Sequence, residues 1–251
     1  MKDSGVKNLN FIDIHCHILP GMDDGPSEAD GSLKMLRIAA GDGIYHIFAT
    51  PHILPGTYEN RSSGIRSVLE DLKRIAPETP RLSYGADVRV SVDLLERIEK
   101  GEVPTLGGSG YMLLEMPDYI LPPNVDNLIF NLRHRGIIPI ITHPERHLRL
   151  MHDLSALGKL RDNGALCQIT AMSLTGGFGK ALRKISMDMI KKGLVDFVAT
   201  DAHDDRNRPP LLSGAHKDVR KEFGDGVADT LFFSNPEKIV ETSKISVTSQ
   251  T

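Results

Sequence analysis

Residues 11–25 read FIDIHCHILPGMDDG: an apolar run carries two histidines, His15 and His17, into a turn at Pro20 and Gly21, and the acidic pair Asp23 and Asp24 follows. Side chains two apart on a strand point to the same side, so both imidazoles can reach one ion. The competing interpretation of so short a motif is one solvated histidine and one that caps the strand. The choice depends on whether other strands bring ligands to comparable positions.

Working outward, the strand-like runs are 11–17, 44–50 (IYHIFAT), 81–90 (RLSYGADVRV), 111–117 (YMLLEMP), GIIPIITH ending near His143, 165–170 (ALCQIT) and 194–203 (LVDFVATDAH). Helix-like segments follow most of them: Ser27 to about Ala40, Arg61 to Ile75, a short one after Val90, Pro122 to His134, and Lys180 to Lys192. Helical segments near 211–223, 225–233 and 235–241 close the chain, and 243–251 reads as a flexible tail. Alternating β and α elements predict an α/β fold with a parallel sheet and helices outside. HIFAT, IIPII and DFVA are nearly continuous apolar runs, as expected of strands covered on both faces. Seven strands suit a barrel or an open doubly wound sheet.

Ligand-type residues fall at the strand ends. His15 and His17 end the first run and His52 follows the second; Asp87 lies late in the third, Glu115 ends the fourth and His143 the fifth. Asp201 and His203, again two apart, end the seventh, and Asp24 lies just past the first. In α/β barrels the C-terminal strand ends carry the site. Chance places one or two such residues there, not nine. Imidazole mixed with carboxylate favours manganese, zinc or ferrous iron over calcium or a thiolate zinc site. Nine ligands exceed one ion; two or three ions sharing carboxylates suit them better, an arrangement fit for hydrolysis at phosphorus.

Two arginines follow these ends: Arg146 in HPER and Arg208 in DDRNRPP, with Arg206 competing for the second role. Guanidinium forks match phosphate, although local pairs with Glu145 or Asp205 would also account for them. His46, in mid-strand, is expected in the core. His134, His147, His152 and His216 are expected at the surface, with His147 the one that could approach the site. TGGFG (175–179) fits no phosphate-loop pattern and reads as the turn before a helix. Tyr58 could line a shallow cleft.

Composition removes other classes. The 251 residues carry a net charge of −3, which gives no electrostatic case for nucleic acid or an anionic membrane. No apolar run approaches the ~20 residues of a membrane span, and MKDSGVKNLNF has no apolar signal-peptide core. Cys16 and Cys167 form no disulfide framework, so a cytoplasmic protein is expected. A cysteine-dependent phosphatase would need C-x5-R, but Met22 and Ser173 occupy those arginine positions.

DIHCHILPGMDDGP, ATPH, GADVRV, LLEMP, THPER, QITAMSLTGGFG and ATDAHDDRNRPP together resemble the polymerase-and-histidinol-phosphatase (PHP) superfamily. They are most similar to its bacterial protein-tyrosine phosphatase branch, associated with capsule and exopolysaccharide synthesis. The likeness runs in order from about residue 11 to 210. It implies a distorted (βα)7 barrel, taken here as one domain over 1–251, and a trinuclear site dependent on Mn2+, with iron or zinc as alternatives. By motif, His15, His17, Glu115 and Asp201 would hold one ion. Glu115 would bridge to a second ion with Asp87 and His143, and Asp24, His52 and His203 would hold the third. Arg146 and Arg208 would hold the phosphate. The implied reaction is hydrolysis of phosphotyrosine on the tail of a bacterial tyrosine kinase. Alternatives are a small-molecule phosphatase, such as one for histidinol phosphate, and a metal-stabilised regulatory protein without catalysis. One departure is Asp87, where the family usually has Glu. Its side chain is one methylene shorter, so that ion would bind more weakly, differ in geometry or gain a water.

Overall fold

The structure, a computed structural model, describes residues 10–248; the N-terminal stretch and the last residues of the expected tail lie outside that range. The strands are β1 (Phe11–Cys16), β2 (Ile44–Ala49), β3 (His52–Ile53), β4 (Arg81–Tyr84), β5 (Asp87–Arg89), β6 (Tyr111–Glu115), β7 (Ile138–Thr142), β8 (Leu166–Thr170) and β9 (Phe197–Ala199). All pair in parallel, in two sheets ordered β1-β2-β4 and β3-β5-β6-β7-β8-β9. Most successive strands are joined through helices, as parallel neighbours require a crossover.

These nine segments are seven strands. β2 and β3 are halves of one strand interrupted at Thr50 and Pro51, and β4 and β5 halves of one interrupted at Gly85 and Ala86. Backbone bonds from Gly85 N to Ala49 O (2.9 Å) and Asp87 N to Pro51 O (3.1 Å) carry the pairing across both breaks. The backbone at Gly85 passes so close to Leu106 that a Cβ would lie 2.6 Å from its Cδ2. The run expected as one strand over 81–90 is therefore shared between the two sheets.

The far edges meet at β1 and the end of β9. Asp201 N donates to His15 O and His17 N to Ala202 O, both at 2.8 Å. Beneath that seam the buried Asp13 carboxylate accepts from Thr200 N (3.0 Å) and from the Thr200 hydroxyl. Burial pushes the Asp13 pKa up to about 7 against the opposing effect of those hydrogen bonds. The order of strands and this seam make a closed, distorted (βα)7 barrel.

The barrel interior is apolar at the bottom and polar at the top. Ile12, Ile14, Phe48, Leu113, Ile140, Phe197 and Ala199 form a plug, closed by Ile239 and Val240 of the C-terminal helix. Two residues further along the strands, and so on the same face, Leu113 gives way to Glu115, Ile140 to Thr142 and Ala199 to Asp201. β1 reaches the same result through a bulge: Asp13 pairs with Ile47 but Cys16 with Ala49. The extra residue reverses the alternation, so Ile14 belongs to the inner cluster and Cys16 to the outer core. His15 and His17 thereby share the interior with Ile12 and Ile14.

Several expectations are corrected. The seventh strand is only Phe197–Ala199, because the chain turns at Asp201 to deliver its ligands. The stretch AMSLTGGFG (171–179), which in sequence reads as a loop, begins with a short helix, Ala171–Thr175, and only then turns. Residues 243–248 of the expected tail continue the C-terminal helix, Asn235–Thr248, whose Ile239 and Val240 enter the plug. His147 and His216 are buried rather than at the surface. His147 Nδ1 accepts from Leu150 N (3.2 Å), capping a helix, and His216 packs edge-on against Phe11 and Phe232.

His46 is a core residue as expected. It stacks on Phe48 and meets Ser83 Oγ at 2.9 Å. Burial, with Arg81, Lys244 and Lys73 nearby, pushes its pKa down to about 4. The unfolded chain protonates this group near 6.5, so its contribution to stability is complete above about pH 6.5 and is lost as pH falls toward 4. Denaturant unfolding from pH 7 to 4.5 should show stability falling more steeply in the wild type than in His46→Phe, the slopes differing by up to about one proton.

Candidate metal centre

The nine expected ligands lie together at the C-terminal rim: Asp24, His52, Glu115, His143, Asp201 and His203 line a cleft of about 340 Å³, and His15, His17 and Asp87 are fully buried against them. His15, His17, Asp87, Glu115, Asp201 and His203 are buried, and Asp24 is the most exposed of the nine. His15 Nε2 lies 3.0 Å from His17 Nε2 and 3.5 Å from both Asp87 Oδ2 and Asp201 Oδ1. His17 Nε2 is 3.4 Å from Asp201 Oδ1. His52 Nδ1 is 3.5 Å from Asp87 Oδ2 and 3.7 Å from Glu115 Oε2. His143 Nε2 is 3.6 Å from Glu115 Oε1 and 3.8 Å from Asp87 Oδ2. Asp24 Oδ1 faces His203 Nε2 at 3.3 Å and His52 Nε2 at 3.7 Å.

Most of these separations are too long for hydrogen bonds. They are near the distance between two ligand atoms that each lie ~2.1 Å from a shared ion. His52 Nδ1 and Asp87 Oδ2 are buried without a hydrogen-bond partner, a costly state unless something else engages them. Three sets of donors lie within reach of common points: His17, Asp24, His52 and His203; His15, His17 and Asp87; and His52, Asp87 and Glu115. The donor set therefore fits metal ions. Asp87 belongs to two of these sets. It faces His15, His52 and His143 together, a more central position than the resemblance implies.

Charge in the cleft follows from the same crowding. Burial pushes His52 and His143 down to about 4 each, leaving neutral imidazoles with free lone pairs at pH 7. Burial also opposes charge on His17, but Asp23 and Asp201 outweigh it and raise the pKa to about 10. Burial and the adjacent Asp87 push Glu115 up to about 8 despite Arg89. Asp201 is held well below the usual range: Arg146, His15 and Arg208 overcome its burial.

Backbone strain is confined to the same place. Among the described residues, only His143 (φ 34°) and Asp201 (φ 51°) have positive φ without being glycine. Such conformations cost of order 1–3 kcal/mol and concentrate at functional sites.

Four residues that support the site were not recognisable as such in the sequence. Asp23 Oδ2 accepts from His17 Nδ1 at 2.7 Å and from His52 N at 2.9 Å. Gln168 Oε1 meets His15 Nδ1 at 2.9 Å. Each leaves Nε2 of its histidine pointing into the cleft, as ligating histidines need. Arg89 Nε donates to Glu115 Oε2 at 2.9 Å. Phe178 lies beside both arginines, 5.5 Å from Arg146 Cζ and 5.9 Å from Arg208 Cζ. The one available signal was a polar residue within an apolar strand, Gln168 in ALCQIT.

The arginines pair with the site rather than with their sequence neighbours. Arg146 and Arg208 each donate through Nη2 to Asp201 Oδ2, at 2.6 and 2.7 Å. Glu145 turns away, accepting from Thr170 N and Ser173 Oγ. Arg206 is exposed, and Tyr58 stacks on His52 with ring centroids 5.8 Å apart.

A parallel barrel with imidazoles, carboxylates and two guanidiniums at its C-terminal rim defines a βα-barrel metallohydrolase. Within that class the chain belongs to the CpsB/CapC family of capsular polysaccharide synthesis, whose family model matches residues 11–241. The tyrosine-protein phosphatase YwqE of Bacillus subtilis (strain 168) is 35% identical over 244 residues, 96% of this chain and 93% of the relative. The tyrosine-protein phosphatase CpsB of Streptococcus pneumoniae is 32% identical, covering 92% of this chain and 98% of the relative. A solved structure from work on YwqE and CpsB, described as unique metal-dependent tyrosine phosphatases, aligns at a TM-score of 0.84 and 34% identity over 96% of this chain and 95% of that one. The lactonase Lmo2620 of Listeria monocytogenes, 12% identical at a TM-score of 0.55, shares the fold alone.

Asp23 gives a direct test of the supporting residues. Asp23→Ala should weaken metal binding roughly 10–100-fold, read by calorimetric titration of the metal-depleted protein.

Proposed function

We propose that this chain is a metal-dependent protein-tyrosine phosphatase, one catalytic domain acting in the cytoplasm on the phosphorylated tyrosine-rich tail of a bacterial tyrosine kinase. The observation that carries this reading is the convergence of Arg146 and Arg208 on Asp201 beside the imidazole–carboxylate cluster. Two guanidiniums are unnecessary for holding metals, but they match the oxygens of a phosphate. The family's place in capsule synthesis supports the kinase substrate.

His15, His17, Asp24, His52, Asp87, Glu115, His143, Asp201 and His203 would hold two or three ions; their mixture of imidazole and carboxylate suits manganese, zinc or ferrous iron, and the family resemblance favours Mn2+. Bound there, such ions supply Lewis-acid charge and make water acidic enough to act as a nucleophile near neutral pH. The chain's own residues do the rest. Asp201 holds both guanidiniums in place before substrate arrives, so little reorganisation is needed when charge develops on the phosphoryl oxygens. Arg146 and Arg208 then bind those oxygens and orient the ester. On cleavage of the P–O bond the tyrosine side chain leaves as a phenolate of parent pKa ~10, a better leaving group than an alkoxide. Neither cysteine takes part: both are fully buried, and burial pushes both thiols well up.

The protein loaded with Mn2+ should hydrolyse para-nitrophenyl phosphate and phosphotyrosine peptides, and histidinol phosphate much less well. Arg146→Ala and Arg208→Ala should each lower kcat/KM by roughly 10²–10³. Full activity after verified metal removal would contradict the proposal.

A further inference from the structure

Residues 176–179 read GGFG, and the conformation of this turn explains all three glycines. Gly176 and Gly179 have φ of +86° and +97°, and a Cβ on Gly177 would lie 2.5 Å from Met172 Cγ. The turn therefore presents one large side chain, Phe178. That ring serves neither hydrophobic cluster: it is absent from the barrel plug, from the outer core and from the apolar residues packed against either. It is half-buried, and its described ring contacts are with the guanidiniums of Arg146 and Arg208. A phenylalanine outside the core, held on a glycine-built turn beside both phosphate-binding groups, calls for a ligand. Arg208 Nε is also buried without a hydrogen-bond partner, so the neighbouring fork has unused capacity.

We propose that Phe178 is the aryl-recognition residue of this site, contacting the phenyl ring of a phosphotyrosine whose phosphate is held by Arg146 and Arg208. The inference rests on the phosphatase reading above and adds the source of its preference for aryl over alkyl phosphomonoesters. The dimensions suit it. Arginine nitrogens hold phosphate oxygens at about 2.7–2.9 Å, and aromatic pairs attract with centroids about 4.5–7 Å apart. A phenyl ring one ester oxygen from the phosphorus lies in that range of a ring already beside both guanidiniums. An alkyl phosphate gains the arginine contacts and lacks the ring contact.

The test compares phenylphosphonate with methylphosphonate, which are not hydrolysed, as ligands of the Mn2+-loaded protein by calorimetry. The wild type should bind the phenyl compound more tightly. Phe178→Ala should reduce the phenyl-to-methyl affinity ratio about tenfold with methylphosphonate affinity nearly unchanged, and Phe178→Tyr should retain the ratio. Phe178→Leu, which keeps apolar bulk without the ring, should also lower the ratio and serves if the alanine variant does not fold. Equal weakening of both phosphonates would show that Phe178 acts only through the arginines, and would overturn the proposal. An unchanged ratio beside normal wild-type turnover of para-nitrophenyl phosphate would overturn it too, leaving the phosphatase reading intact. A ratio lost in Phe178→Ala without detectable wild-type turnover would overturn the phosphatase reading instead.

Discussion

Four carboxylates and five imidazoles share one cleft, and most of them are buried. Charged groups out of water are costly unless paired. In this cluster most separations are too long for good hydrogen bonds, and two atoms, His52 Nδ1 and Asp87 Oδ2, are left without a partner. Cations placed among them would balance the carboxylates and use the imidazole lone pairs at once. Asp201 bears the greatest demand. One carboxylate faces His15 and His17 through Oδ1 and two guanidiniums through Oδ2, from a backbone held at positive φ.

The barrel beneath makes this crowding possible. An apolar plug of inward residues, sealed below by the C-terminal helix, gives the polar layer a rigid floor. The bulge in β1 is the local device that brings two histidines into that layer while Cys16 faces the outer core. The seam from β9 to β1, tied by Asp13 and Thr200, sets Asp201 beside those histidines. Fold and site therefore meet at the same few residues: the peptide bonds that close the barrel belong to His15, His17, Asp201 and Ala202.

Much of this was legible from residue types at strand ends. His15, His17, His52, Glu115, His143, Asp201 and His203 stood out because imidazoles and carboxylates rarely end apolar strands together. The seven-strand count was legible because parallel strands covered on both faces appear as apolar runs. The splitting of 81–90 was not: it falls where Gly85 passes close to Leu106, a contact distant in sequence. Asp23 and Gln168 acquire their roles only through the ring nitrogen that each meets in space. Arg146 stood out as a guanidinium suited to phosphate, with Glu145 as a competing local partner, and its pairing with Asp201 is set by the fold. His216 lay on a polar helical segment, and its burial depends on Phe11 and Phe232 from both ends of the chain.

The central claim is that this cluster is a metal centre rather than a strained polar core. Titrating the metal-depleted protein with Mn2+ while following thermal unfolding and bound metal tests it most directly. Because ligands that bind only the folded state stabilise it, saturation should raise Tm by on the order of 10 °C, with two to three ions bound per chain. His203→Ala should lower the number bound. A Tm unmoved by millimolar Mn2+, with no ion retained, would contradict the account.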